Sequence, residues 1–296
     1  MKEKVAIVTG SSMGIGKAIA MELAQNGAKV VLNGRDREQL FDTEAEFLKK
    51  GYEVTAVPAD ISRPNHCEYL VEKTLKAYDK IDLLINNAGE SSRGTVEKMA
   101  ISNIRSLIET NYSGAAYMSK YTVPQLKKTK GHIIFINSVG GLRGMPYNSA
   151  YTASKMAQAA LAEALRIELY DYGIHVGLVY VGFTENDPKK IILDEDGTKI
   201  YLPRRDNVRL AKPQSVAKRV LRMIEKRTDR TILTNLGILT DIMTHHFPKL
   251  TDWILLANRR KIKEQFTEIG GGRATGKRGQ VPASTFVADS ASKNST

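Results

Sequence analysis

From residue 4 to about residue 180 the chain alternates short apolar runs with longer stretches of helical period, and few folds accept that rhythm. The runs are Val5–Thr9, Lys29–Leu32, Val54–Val57, Leu83–Asn86, His132–Asn137 and His175–Tyr180. Between them lie the amphipathic stretches Lys17–Gln25, Arg37–Lys50, His66–Tyr78, Ile101–Leu126 and Tyr151–Tyr170. Such runs, rich in Val and Ile and bounded by Gly or Asn, suit strands buried on both faces. Strand–helix alternation requires right-handed crossovers. The expected fold class is therefore α/β, a doubly wound parallel sheet of about seven strands with helices on both faces.

The rhythm breaks at residues 185–212, a long excursion with a turn signal at Asp194-Glu195-Asp196-Gly197 and a second break at Pro203-Arg204-Arg205. A helix from Pro213 to Arg227 follows. Residues 1–230 are read as one dinucleotide-binding catalytic domain containing the loop 185–212. Residues 231–269 form an apolar and basic, helical C-terminal extension. Residues 270–296, rich in Gly, Ser, Thr and Ala, read as a flexible tail. Charge is uneven too. Residues 185–296 hold 22 Lys and Arg against 13 Asp and Glu, while residues 1–184 hold 22 against 19. That bias suits an anionic surface, an anionic substrate or nucleic acid, and equally a solvated basic face. Cys67 is the only cysteine, which excludes an intrachain disulfide and any thiolate metal site, and no metal is expected. With a strand beginning at Lys4 and no leader pattern, a cytoplasmic location is expected.

The segment Thr9-Gly10-Ser11-Ser12-Met13-Gly14-Ile15-Gly16 falls between the first strand and the first helix. Glycines there let the backbone approach a pyrophosphate, and the helix start offers free N–H groups and a positive dipole end. The candidate contacts are Gly10, Ser12, Gly14, Ile15 and Gly16. The second strand ends Asn33-Gly34-Arg35-Asp36, where NAD sites usually place an acidic side chain for the ribose hydroxyls. Arg35 can instead hold a 2′-phosphate through charge-assisted hydrogen bonds, which favours NADP(H) over NAD(H), with Asn33 beside it. The alternative leaves Arg35 in solvent and gives the ribose to Asp36.

Further motifs follow in order: Asp60-Ile61 after the third strand, Asn86-Asn87-Ala88-Gly89 after the fourth, Asn111, Ser138, and Tyr151-x-x-x-Lys155. With the glycine-rich turn, they make the chain resemble the short-chain dehydrogenase/reductases, over about residues 4–184 and more loosely to 228. The resemblance implies a Rossmann-type fold and an oxidoreductase interconverting a ketone and a secondary alcohol. Tyr151 and Lys155 share one helix face. A neighbouring ammonium moves a phenol toward the range where it exchanges protons. Ser138 can hydrogen-bond the carbonyl oxygen. By resemblance, Lys155 also holds the nicotinamide ribose, and Asn111 positions a water that links the lysine to solvent. Asp60, Ile61, Asn87, Ala88, Gly89, Gly182 and Thr184 complete the expected cofactor contacts, with Asn86–Gly89 equally suited to bracing the sheet. The family often has Pro-Gly after the sixth strand. Val181-Gly182 stands here, so a looser start to that loop is expected.

Substrate choice falls to residues 90–96, 139–148, 185–212 and the apolar stretch after 231. That stretch, flanked by Arg259-Arg260-Lys261, suits contact with a membrane surface or a cover over the core. A hydrophobic substrate such as a 3-ketosphinganine-like keto-lipid is expected, with hydroxysteroids and 3-oxoacyl compounds as alternatives. A non-catalytic cofactor-binding or anionic-surface-binding protein is the reading from another class. By resemblance, the long helices bearing Asn111 and Tyr151 build a homodimer or homotetramer. No motif for nucleic acid is present, and none is expected as a partner.

Overall fold

The computed structural model describes residues 1–185, 187–188, 190–202 and 210–270, with side chains through 264. The strands are β1 (Val5–Val8), β2 (Lys29–Gly34), β3 (Val54–Pro58), β4 (Leu83–Asn86), β5 (His132–Ser138), β6 (His175–Val181), β7 (Ile191–Leu193), β8 (Lys199–Tyr201) and β9 (Arg230–Ile232). Seven of them form one parallel sheet in the order β3-β2-β1-β4-β5-β6-β9. The helices are α1 (Gly14–Gln25), α2 (Arg37–Lys49), α3 (Pro64–Tyr78), α4 (Ile101–Ile108), α5 (Gly114–Thr129), α6 (Ser149–Glu168), α7 (Pro213–Lys226), α8 (Asn235–His246), α9 (Pro248–Ala257) and α10 (Arg259–Gly270).

Period-two alternation sends Ala6 and Val8 to one face of β1 and Ile7 to the other, and both faces are buried. Val8, Leu32 and Ile85 pack with Leu23, Phe47 and Val220 in one core layer. Ile7, Val31, Leu84 and Phe135 pack with Leu70, Met118 and Ala162 in the other. This is why the strands read as continuous apolar runs. β1 is paired on one side with β2 and on the other with β4, so the winding reverses there and leaves a crevice at the carboxyl ends.

The six longer strands fall where the apolar runs place them, and the seventh is β9, inside the stretch read only as apolar. The excursion contains the antiparallel pair β7–β8, closed by the Asp194–Gly197 turn with Gly197 at φ +90°. The Ile101–Leu126 helix is interrupted by a π-helical turn, Glu109–Ser113. The extension begins with β9 and continues through α8–α10. The tail from 271 and the Pro203-Arg204-Arg205 signal lie outside the described residues. Among the described residues no helix is long and apolar enough to cross a membrane.

Candidate active site

The turn after β1 is held from the β4 side. Asn87 Nδ2 donates to the carbonyls of Thr9 and Gly10 at 2.9 Å each, and Thr9 Oγ1 accepts from the Asn87 and Ala88 N–H groups at 3.0 Å each. Gly10 and Gly14 adopt φ +63° and +57°, in the left-handed region open to glycine. A Cβ on Gly16 would stand 2.1 Å from the Gly10 carbonyl oxygen, so only glycine lets α1 start this close to the turn. No side chain caps α1, which leaves its first-turn N–H groups for an anion.

At the end of β2, Asn33 is buried and turned toward β3, where Nδ2 donates to the Val57 and Ala59 carbonyls at 3.2 and 3.1 Å. Asn33 thus braces the wall of the crevice. Ser12 sits beside Gly34, where a Cβ would approach Ser12 Oγ to 3.3 Å. Asp36 caps α2, accepting from Gln39 N at 3.1 Å. Arg35 is exposed, with Nη1 2.7 Å from Glu90 Oε1. Asp60 Oδ1 accepts from Ser62 N and Oγ at 3.0 and 2.8 Å, and Ile61 is buried under Gly114. Glycine cradle and uncapped helix start together fit the pyrophosphate of a nicotinamide dinucleotide.

The four candidate catalytic residues arrive from three directions and meet. Ser138 ends β5, Tyr151 and Lys155 lie in the first turns of α6, and Asn111 lies in the π turn. A Cβ on Gly140 would stand 3.3 Å from the Tyr151 ring and 3.5 Å from Ser138 Oγ, so both groups border one point. Ser138 Oγ accepts from Gly140 N at 3.1 Å, which leaves its proton for a ligand oxygen. A Cβ on Gly89 would stand 3.0 Å from Asn111 Oδ1 and 3.5 Å from Lys155 Nζ, so the Asn-Asn-Ala-Gly segment passes directly beside both.

Lys155 Nζ is buried and donates to the Ile136 carbonyl at 3.1 Å and to Gln158 Oε1 at 3.2 Å. Burial, helped by the Lys190 charge, pulls its pKa down to about 7. The Asn111 carboxamide is fully engaged: Oδ1 accepts from Glu90 N at 2.7 Å, and Nδ2 donates to the Glu90 carbonyl at 3.0 Å and Ser154 Oγ at 2.8 Å. Its backbone carbonyl accepts from Gln158 Nε2 at 2.9 Å. The side chain of Gln158 thus bridges the Asn111 carbonyl and the lysine. Gln158 and Ser154 escaped the sequence reading, which held Glu90 only within the substrate segment 90–96, although Gln158 lies three residues after Lys155, on its face of the helix.

The mouth is shaped by later segments. Val181 is the last residue of β6, buried and in register with Ser138. Val181 keeps the N–H and the φ freedom that proline lacks, and the strand runs through it. At Gly182 a Cβ would collide with Thr234 Cγ2 at 2.5 Å. Thr184 Oγ1 donates to the Gly182 carbonyl at 3.3 Å. Gly94 N donates to the Tyr147 carbonyl at 3.0 Å, and Ser92 bridges Leu193 of β7, which joins three of the four expected substrate segments. Arg143 pairs with Asp252 of α9, bringing the fourth to the same mouth.

Residues 4–196 match the short chain dehydrogenase family, and the chain belongs to that family. It is an oxidoreductase whose fold binds nicotinamide cofactors. It is 31% identical over 269 residues to dehydrogenase/reductase SDR family member 7B of Danio rerio, covering 88% of this chain and 87% of that one. It is also 31% identical over 224 residues to 3-ketodihydrosphingosine reductase of Mus musculus, covering 73% and 67%. An alcohol dehydrogenase from the archaeon Thermococcus sibiricus, solved with 5-hydroxy-NADP, superposes with a TM-score of 0.69 at 25% identity, covering 78% of this chain and 95% of that one. A short chain dehydrogenase/reductase from Burkholderia phymatum, solved with NAD, reaches 0.74 at 24% identity over 84% and 95%, a likeness of fold.

Proposed function

We propose that the protein is an NADP(H)-dependent reductase of hydrophobic ketones, and that Asn111, Ser138, Tyr151 and Lys155 form its catalytic set. The observation that carries this reading is the convergence of Ser138 Oγ and the Tyr151 ring beside Gly140, with Lys155 on the same helix. A bound reduced cofactor supplies the hydride that reaches the carbonyl carbon. Ser138 Oγ donates a hydrogen bond to the carbonyl oxygen and fixes its position. Tyr151 Oη gives its proton to that oxygen as negative charge develops on it. Lys155, as an ammonium, stabilises the phenolate left behind and holds a ribose hydroxyl. The turn Gly10–Gly16 takes the pyrophosphate, and Arg35 takes a 2′-phosphate. Asp36 supports the phosphate assignment, because its carboxylate is committed to capping α2.

A keto-lipid is the favoured substrate, in keeping with the resemblance to a 3-ketodihydrosphingosine reductase. The extension supplies the route. Leu236, Leu239, Phe247, Leu250, Trp253 and Leu256 of the α8–α9 segment are all exposed, and exposed Arg259, Arg260 and Lys261 follow at once. An apolar face bordered by cations suits an anionic bilayer surface. The subunits pair through α4 and α6, where Ile104 and Met156 are exposed.

The test is titration of NADPH and NADH on the wild type and Arg35→Ala, followed by turnover of long-chain keto-lipids, steroids and 3-oxoacyl compounds. Tighter NADPH binding that Arg35→Ala abolishes is expected. Equal affinities overturn the NADP reading, and exclusive turnover of steroids or 3-oxoacyl compounds overturns the substrate. Trp253 is the only tryptophan. Its emission shifts to the blue on vesicles containing phosphatidylglycerol if the α8–α9 face docks, and stays unchanged if it does not.

A further inference from the structure

Arg35 follows β2 and Glu90 follows β4, and their side chains meet at 2.7 Å. β1 lies between those two strands, and the glycine-rich turn rises from its end. The ion pair therefore spans the crevice at the turn that receives a pyrophosphate. Its two ends are unequal. The Arg35 side chain is 57% exposed and the Glu90 side chain only 15%. Glu90 is fastened on three sides: Oε2 accepts from Ser106 Oγ of α4, the backbone N–H donates to Asn111 Oδ1, and the carbonyl accepts from Asn111 Nδ2. Arg35 is thus the freer end of the pair and Glu90 the fastened one.

We propose that Glu90 is a positioning residue for cofactor entry: it latches Arg35 across the crevice, and the pair must open before either dinucleotide seats. A 2′-phosphate then takes Arg35 over from the carboxylate, one anion replacing another on the same guanidinium. With a 2′-hydroxyl no such exchange occurs. The opening cost is common to both cofactors, so the latch lowers both affinities by one factor, the reciprocal of the open fraction. Because Arg35 is largely in water, that factor is modest, about threefold.

The proposal rests on the dinucleotide site described above, but it is read on NADH alone and so stands apart from the NADPH preference. Calorimetric titrations are made on the wild type, Glu90→Gln, Arg35→Ala and the double variant. Glu90→Gln is expected to tighten NADH and NADPH alike by about threefold, leaving their ratio unchanged. Arg35→Ala tightens NADH by the same factor while losing NADPH preference, and adding Glu90→Gln to it changes NADH binding no further. A gain confined to NADPH overturns the latch in favour of simple competition for Arg35. Weaker NADH binding in Glu90→Gln overturns it as well, since Glu90 would then be bracing the crevice. Equal wild-type affinities with the NADH gain intact sink the NADP reading and keep the latch.

Discussion

Gln158 Oε1 accepts from Lys155 Nζ at 3.2 Å, and through its other amide atom the same side chain ties the lysine's helix to the Asn111 carbonyl. Oε1 is the pole of an amide dipole that favours the ammonium against the burial that opposes it. Burial, with the Lys190 charge behind it, holds the Lys155 pKa down to about 7. The lysine's folded pKa lies below its usual value, so the ammonium is lost as pH rises through about 7. kcat/KM for the cofactor, which reports the free enzyme, is expected to fall over that range. Gln158→Leu should move the falling limb to lower pH, and Gln158→Glu, with a carboxylate beside the amine, to higher pH. A merely structural role would move both variants the same way or neither.

Tyr151→Phe removes one oxygen and keeps the ring beside Gly140. Loss of a positioned general acid costs about 10²–10⁴-fold in turnover. Cofactor affinity should stay within about threefold, an allowance set by the modest net value of one hydrogen bond. Retained turnover in stopped-flow reduction would remove Tyr151 from its role.

A pair of titrating side chains lies at the other end of the sheet. His132 and His175 begin β5 and β6, and their Nδ1 atoms are 3.0 Å apart. His175 Nε2 lies 3.1 Å from the Thr228 carbonyl and must donate to it, so His175 Nδ1 accepts from His132 Nδ1–H and both rings are neutral. Burial, then the neighbouring His175 and Arg227, push the His132 pKa down to about 3, and burial chiefly lowers that of His175. Unfolded histidines take up protons near pH 6.5, so stability from this pair is complete above that pH and drains away below it. Each neutral ring loses at most about 1.4 kcal/mol per pH unit. His132 keeps losing down to about pH 3. Urea midpoints at pH 7.5 and 5.0 should fall further in the wild type than in His132→Phe, and equal falls would refute the assignment.

Gly182→Ala should be costly out of proportion to one methyl. The added Cβ would meet Thr234 Cγ2 at 2.5 Å, and Thr234 is the N-cap of α8, accepting from Gly237 N at 3.1 Å. Overpacking at such a contact costs about 1–3 kcal/mol. Thr234→Ser removes the colliding methyl and keeps the capping hydroxyl. The double variant should regain most of the lost thermal midpoint, and no recovery would locate the strain elsewhere.

The parallel sheet was legible because strands buried on both faces must be apolar at every position, as at Val5–Val8 or Leu83–Ile85. The candidate catalytic residues were legible because their spacing survives without coordinates. β9 was not, since three residues with an exposed Arg230 carry no period. Asn33 carries a bracing role that its sequence position hides. The direction of its amide is decided by the Val57 carbonyl on β3 and the Ala59 carbonyl just after it, 24 and 26 residues away. Glu90 and Gln158 act through partners that only folding brings near.

The π turn at Glu109–Ser113 holds one residue more than an α-helix would use there, and within it the Asn111 carbonyl accepts from Gln158. Deleting a single residue from this turn would mend the helix ladder and rotate Asn111 away from its partners. The shorter chain would be the better helix former and the poorer catalyst. A local preference for regular structure and the demands of the site thus pull in opposite directions, and at Asn111 the site prevails.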